Sequence, residues 1–282
     1  MKVAIIGQSD RAAAWENHLR GFQSVNEVYI TQKIRHLKEV DACILVDDSD
    51  KRLIRLLKIL KLSYPTFLIS KISDRYDELQ AVHAVSQEAG VPVQFAHWPT
   101  FAAASHWMRQ QMKRPRRIHV TKHLVSASFS ENKVQLTQHW LDEVGLFVKW
   151  MDSGVQKVSV SATRLSSCLT SLDMMLHFES GATATLSFSL TSAHASHVRT
   201  VADSSIELEC DVATQQVRSI SVDKGGYLTV KKHNFDPSQT AELSIGRFLK
   251  AVQHGKSVAF SSFDAIRTAA AAKLVQQQLD MQ

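Results

Sequence analysis

The first 115 residues alternate short, continuous apolar runs with segments of helical periodicity, and this alternation limits the fold more than any other feature of the chain. Lys2–Ile6, Glu27–Thr31, Val40–Val46, Thr66–Lys71 and Val91–Ala96 read as strands. Between them Ala12–Gly21, Ser49–Leu62, Asp74–Gly90 and Phe101–Gln111 read as helices. Leu53, Leu56, Leu57 and Leu60 recur at helical spacing in the second, and Gly90 stops the third. Strands separated by helices imply a parallel sheet with right-handed crossovers, covered on both faces.

The pattern changes after Pro115. Arg117–Leu124 reads as a strand and Lys133–Met151 as one long amphipathic helix. Period-two alternation then marks Val155–Arg164, Ser171–Glu179 and Thr183–Thr191, the last two joined by a Ser180-Gly181 hairpin turn. Shorter strands follow at Val198–Val201, Ser205–Cys210, Arg218–Val222 and Tyr227–Lys231, and two helices, Gln239–His254 and Ser262–Met281, end the sequence. The fold class expected is α/β: a Rossmann-like, doubly wound parallel sheet over residues 1–115. An α+β domain with a large, mostly antiparallel sheet follows over residues 116–282. The last helix, 262–281, is placed to pack back on the first domain.

With 44% hydrophobic and 21% charged residues among 282, the chain can build a core, which excludes a disordered or low-complexity protein. No apolar run approaches the roughly 18 residues that span a bilayer, so no membrane partner is expected. Met1–Asp10 reads as a first strand and turn rather than a secretory signal. Cys43, Cys168 and Cys210 are odd in number and far apart, which fits buried thiols in a reducing cytoplasm. No CxxC or HxxxH spacing argues for a metal. The net charge is +6, and the densest basic cluster is Lys113, Arg114, Arg116 and Arg117. It lacks a recognisable motif and stacking aromatics, so it reads as a solvated helix end, with no nucleic-acid partner expected.

The turn after the first strand runs Gly7-Gln8-Ser9-Asp10-Arg11-Ala12. A dinucleotide turn is G-x-G-x-x-G: the first glycine makes the turn, the second admits the pyrophosphate and the third lets helix and strand approach. Gly7 keeps the first place, Ala12 takes the third, and Ser9 stands in the second with Asp10 beside it. An ordinary strand–turn–helix explains the loop equally well. The second strand ends in Thr31-Gln32-Lys33, with Arg35 near, where an acid would hold an adenosine ribose. Basic residues there suit the 2′-phosphate of NADP, although solvated loop charges fit as well. The third strand ends in Asp47-Asp48-Ser49-Asp50, carboxylates that oppose a bound pyrophosphate unless they point away or meet a cation. The candidate cofactor contacts are therefore Gly7, Ser9, Asp10, Arg11, Ala12, Lys33, Arg35 and Asp47.

His139 opens His139-Trp140-Leu141-Asp142 in the long helix, and imidazole suits proton transfer near neutral pH. Asp142 stands at i+3 to orient it or pair with it. Lys71 ends the fourth strand, where ligands bind in sheets of this kind, and His97 ends the fifth. A packing or surface role fits each of these residues too.

This order of elements resembles the Gfo/Idh/MocA family, the glucose–fructose oxidoreductase and inositol dehydrogenase type, from Met1 to the C-terminus. Val40–His97 is similar to the family's third-to-fifth strand region. The Glu-Lys-Pro signature falls on Ser70-Lys71-Ile72, so the lysine alone is kept. The catalytic helix falls on Gln135–Asp142, where His139 and Asp142 match and Gln135 replaces an aspartate. LHFESGATATLSFS resembles the family hairpin, and SSFDAIRTAAAAKLVQQQL its C-terminal helix. The resemblance implies an NAD(P)-dependent oxidoreductase acting on a sugar-like or polyol substrate. His139, Lys71 and Asp142 would be the catalytic residues, and the C-terminal sheet would pair chains into a homodimer or homotetramer. The altered signature positions keep a second expectation open, a non-catalytic relative that binds a ligand or partner without turnover.

Overall fold

The structure is a computed structural model. It describes the chain except Lys38, Lys113, residues 126–132, Ser166, Ser167 and Gln282; the side chains of Ser9 and of residues 133–136 are also outside the description. The chain divides into two compact units. One comprises Met1–Phe101 with Gln239–Ala269; the other comprises Ala102–Ser238 with Ala270–Gln282.

The first unit contains five strands, β1 (Lys2–Ile6), β2 (Glu27–Thr31), β3 (Ala42–Val46), β4 (Thr66–Ile69) and β5 (Val93–Phe95). They form one sheet in the order β2-β1-β3-β4-β5, and every pairing is parallel. Helices α1 (Ser9–Arg20), α2 (Arg52–Leu60), α3 (Tyr76–Ala89), the one-turn α4 (Trp98–Phe101) and α7 (Thr240–His254) belong to this unit. β1 and β3 are buried along almost their whole length, as expected for strands covered on both faces. The chain runs from β1 outward to β2, then returns past β1 to build β3, β4 and β5. The order therefore reverses between β1 and β3, and the loops leaving their carboxyl ends diverge there.

Gly7 closes β1 at that point. Its N–H donates to Thr31 O at 3.1 Å, which extends the β1–β2 ladder by one bond. A Cβ on Gly7 would lie 2.9 Å from Val46 O and 3.1 Å from Val46 Cβ, so a glycine is needed to bring the ends of β1 and β3 together. Further out, Trp15 of α1 stacks on Trp98 at 6.2 Å, and Phe67 packs between Phe101 and Phe248. The segment after α7 completes the edge beside β5. Phe95 N–H donates to Phe260 O at 2.9 Å, and the fully buried Gln94 amide donates to Ser244 O at 3.0 Å. His97 is fully buried, stacks on Phe260 with 4.2 Å between centroids and bonds the Thr100 hydroxyl at 2.7 Å. These contacts account for His97 as a packing residue.

The second unit contains α5 (Ala103–Gln111), α6 (Lys133–Met151) and eight strands. These are β6 (Arg117–Val125), β7 (Val155–Leu165), β8 (Cys168–Phe178), β9 (Thr183–Ser189), β10 (Thr191–Ala202), β11 (Ile206–Asp211), β12 (Gln216–Val222) and β13 (Leu228–Asn234). Their order is β13-β12-β11-β10-β6-β9-β8-β7, antiparallel at every junction except the parallel β6–β9 pair. The segment Thr183–Thr191, expected as one strand, breaks at Leu190. That residue buries its side chain and turns its N–H to Thr170 O at 2.8 Å, after which β10 runs much longer than the sequence suggested. The expected helix Phe101–Gln111 likewise divides between α4 and α5. Alternate residues of β8 and β9 (Leu172, Met174, Leu176, Leu186 and Phe188 among them) form a buried face. Helix α6 is apolar almost all round from Trp140 to Met151, which marks it as a core helix. α8 (Ser262–Asp280) ends the chain. No helix among the described residues is long and apolar enough to cross a membrane.

The closeness of Gly7 to Val46 gives a direct test. Gly7→Ala should cost about 1–3 kcal/mol of stability in urea unfolding, because the clash is with backbone. Gly21→Ala, whose Cβ would meet its nearest neighbour at 3.5 Å and whose φ of −73° suits any residue, should stay within about 0.5 kcal/mol of the parent.

Candidate functional site

In the first unit the expected cofactor contacts gather at the carboxyl ends of β1, β2 and β3. Helix α1 starts at Ser9, with the extended Gln8 between it and Gly7, and has no side-chain cap. Its ladder begins with Ala12 N–H to Gln8 O at 2.9 Å, so the amides of the preceding turn lie outside the ladder at the positive end of the helix. Ala12 is fully buried, so the tight helix–strand contact of the third glycine place is kept. Asp10 is exposed in the first turn, and the Ser9 side chain lies outside the described residues.

All three carboxylates after β3 meet a cation. Arg11 reaches Asp48 at 2.8 Å, Arg55 of α2 reaches Asp47 at 2.7 Å, and Arg75 reaches the exposed Asp50 at 3.2 Å. Asp47 is only 6% exposed and also accepts the Ser49 N–H at 2.8 Å. Burial works to raise the Asp47 pKa, but the Ser49 bonds and the Arg55 guanidinium outweigh it and hold the carboxyl below its ordinary value. Arg55 also donates to Gln32 O at 3.3 Å, tying the end of β2 to the end of β3. Lys33 and Arg35 are exposed just beyond; Thr31 Oγ1 accepts the Lys33 N–H at 3.2 Å, and Arg35 lies in the 3-10 turn Ile34–His36. Lys71 comes to the same corner through its backbone, whose N–H donates to Asp48 at 3.3 Å, and its side chain is exposed.

In the second unit His139 and Asp142 lie one turn apart on α6. The half-buried His139 ring stacks near Phe188, with centroids 5.9 Å apart and planes inclined by 20°. Its carbonyl accepts the ammonium of Lys122, from β6, at 2.8 Å. Burial lowers the Lys122 pKa against the pull of Glu143 and Asp142. Asp142 accepts the Gln138 amide at 2.9 Å. Burial pushes its carboxyl up from 3.8 to about 6, and Lys122 only partly offsets this.

Sequence reasoning missed the group beside it. Glu143 is fully buried and takes a two-point contact from Arg199 of β10, Nε to Oε2 at 2.9 Å and Nη2 to Oε1 at 2.8 Å. His197, two residues earlier on the same strand face, bonds Oε1 at 2.9 Å. Burial opposes the charge on Glu143, but Arg199 and His197 overcome it and hold the carboxyl well below its usual range. Burial lowers the His197 pKa despite the hydrogen bond and charge of Glu143, and Nε2 is the donor in its bond to that carboxylate. The signal was present in the alternation of β10. His197, Arg199 and Val201 share one face, and Val201 is fully buried.

One unit thus has a parallel sheet with a neutralised strand crossover, and the other a helix, α6, that carries a half-buried imidazole. No family model matches the chain, and no curated protein matches it by sequence. Solved structures match over the full length. UDP-N-acetylglucosamine 3-dehydrogenase from Acidithiobacillus ferrooxidans superposes with a TM-score of 0.85 at 12% identity, covering 99% of this chain and 97% of that one. An NAD binding oxidoreductase from Klebsiella pneumoniae gives 0.82 at 10% identity, covering 99% and 96%. A dehydrogenase from Chromobacterium violaceum gives 0.78 at 11%, covering 100% and 95%. The fold expected from the Gfo/Idh/MocA resemblance is therefore the fold the chain has.

The raised Asp142 pKa fixes a sign. The native state holds this proton where the unfolded chain has released it, so the contribution favours folding at low pH and is lost as pH climbs from about 4 through about 6. Asp142→Asn removes the titration. Its stability relative to the parent, read from urea unfolding at a series of pH values, should rise by about 1–2 kcal/mol between pH 4 and 7 and then level off. A difference that stays flat with pH would mean that the carboxyl titrates as it does in the unfolded chain.

Proposed function

We propose that the protein is an NAD(P)-dependent oxidoreductase acting on a CH–OH group of a sugar-like or polyol substrate. The observation that carries this reading is the pairing of Asp47 with Arg55 and Asp48 with Arg11 at the β1–β3 crossover. The two carboxylates that would repel a pyrophosphate are neutralised, while Gly7 keeps the turn tight and α1 offers an uncapped N-terminus. The residues present thus fit a dinucleotide. Gly7, Ser9, Asp10, Arg11 and Ala12 would hold the pyrophosphate turn, Asp47 would brace the floor through Arg55, and Lys33 and Arg35 would meet the adenosine end. Lys33 and Arg35, with no acid from Gln32 to Leu37, favour NADP over NAD. The likeness in fold to a sugar-nucleotide dehydrogenase supports the substrate class.

A bound nicotinamide supplies or accepts the hydride. The chain's own part is orientation and proton transfer. His139 acts as acid/base at the substrate oxygen, and Lys71 polarises that oxygen or shifts the imidazole pKa. Asp142, held by Gln138, sets the charge behind the imidazole. A homodimer or homotetramer formed through the second unit's sheet, in the cytoplasm, belongs to the same reading.

Titration of the purified protein with NADPH and NADH, followed by nicotinamide fluorescence, tests it. We expect micromolar binding, tighter for NADPH, that Ser9→Glu abolishes. Lack of binding to either nucleotide at millimolar concentration sinks the reading and returns the chain to a non-catalytic binding role. With a polyol substrate in hand, His139→Ala should cut turnover by roughly a hundredfold or more. Unchanged turnover would remove His139 from the mechanism.

A further inference from the structure

The basic cluster before β6 has no part in the function above, yet the fold gives two of its members a common wall. A pocket of about 630 Å³ in the second unit lies among the end of α5, the start of β6, the end of α6 and the β8–β9 turn. Arg109, Arg114 and Arg116 line it, with the hydroxyl-bearing Ser153 and Ser180. One carboxylate, Asp152, lines it too.

The frame is well fixed. Arg116 N–H donates to Ala202 O at 2.8 Å, and its carbonyl accepts the Thr183 N–H at 3.0 Å, which locks its backbone between β10 and β9. Ser180 N–H donates to the Ser153 hydroxyl at 3.1 Å and ties the hairpin tip to the end of α6. Arg109 spends one N–H on Met112 O at 2.7 Å.

The other arginines of the unit provide the contrast. Arg117, Arg199 and Arg218 each ion-pair with a glutamate, at 2.9, 2.8 and 3.0 Å. Arg164 reaches a carbonyl, that of Leu279. Among the described residues neither Arg114 nor Arg116 has a carboxylate within ion-pair distance, and Asp203 feels Arg116 only from further off. An excess of positive charge is thus held in a concave, hydroxyl-lined place rather than being cancelled as elsewhere in the unit. Planar guanidinium forks match the oxygen spacing of phosphate and bind it at two points.

We propose that this pocket binds a small phosphorylated metabolite, through Arg114 and Arg116 with Arg109 behind them. The proposal stands independently of the nicotinamide reading. Calorimetry on the full chain at constant ionic strength tests it, with inorganic phosphate, pyrophosphate and glucose 1-phosphate as probes and citrate as the non-phosphate anion. We expect one saturable site per chain. The Arg114→Gln/Arg116→Gln double variant should weaken it at least tenfold, and Arg117→Gln, whose guanidinium is taken by Glu207, should change it less than twofold. Ser180→Asp leaves the arginines in place and sets a like charge beside the ligand; it should also weaken binding tenfold, and it decides the matter if the double variant does not fold. Glucose 1-phosphate binding more tightly than inorganic phosphate is expected of a metabolite site. Four results overturn the proposal: an adventitious weak uptake without saturation, equal loss in Arg117→Gln, citrate binding as tightly as pyrophosphate, or inorganic phosphate binding as tightly as its ester.

Discussion

The contact between Glu143 and Arg199 governs how the second unit is assembled. Each ion loses several kcal/mol of hydration on burial, and their attraction recovers this only because the contact is two-pointed and His197 takes up further bonding capacity. Such a pair adds little net stability over a well-packed apolar replacement, but losing one partner leaves a charge in the core at a cost of about 3–5 kcal/mol. Its effect is therefore on geometry. A one-residue slip of β10 would turn Arg199 to the opposite face of the sheet and strand Glu143. A quarter-turn of α6 would do the same from the other side. The register of the strand and the rotation of the helix are fixed together, and His139, one turn from Glu143, inherits its position from them.

The first unit is governed by a close approach rather than by charge. The ends of β1 and β3 come so near at Gly7 that no side chain fits, and every group around the crossover is arranged about that contact. Asp47 is pulled down and bonded to Ser49 and Arg55, and Arg55 in turn holds the Gln32 carbonyl. Asp48 is shared between Arg11 and the Lys71 amide. The exposed Arg11–Asp48 pair contributes at most about 1 kcal/mol, while the half-buried Asp47–Arg55 pair is bonded at both ends and sets the floor.

What the sequence revealed and what it hid divide along a physical line. Periodicity is local, so the five parallel strands, the Ser180-Gly181 hairpin and the extent of α6 could be read directly, although α6 read as amphipathic rather than as the core helix it is. Partners are non-local. Arg55 gives no sign of meeting Asp47 until helix α2 is folded back over its own strand, and Lys122 gives none of meeting the His139 carbonyl. Arg199 was half legible: strand alternation places it on the buried side with Val201, and a buried arginine requires an acid, but nothing local says that the acid is Glu143 rather than Asp142. The break at Leu190 was hidden because Thr183–Leu190 alternates without a flaw, and the Leu190 N–H still bonds Thr170 of β8.

The altered signature positions follow the same division. The resemblance put Ser9, Ser70, Ile72 and Gln135 at altered signature positions, and of these Ser70 and Ile72 are buried. Ala12, which faces the core, keeps the small side chain that its contact demands. Gly7 is kept because Val46 leaves no alternative. Packing therefore dictates the residue where a Cβ has no room. Charge dictates it where carboxylates crowd: Arg11 and Arg55 answer Asp48 and Asp47 after β3. At physiological salt such charges act over about 8 Å, so the pairing is a local matter of the crossover. Arg11 and Arg55 are committed there to carboxylates, whereas Lys33 and Arg35 stand exposed at its edge.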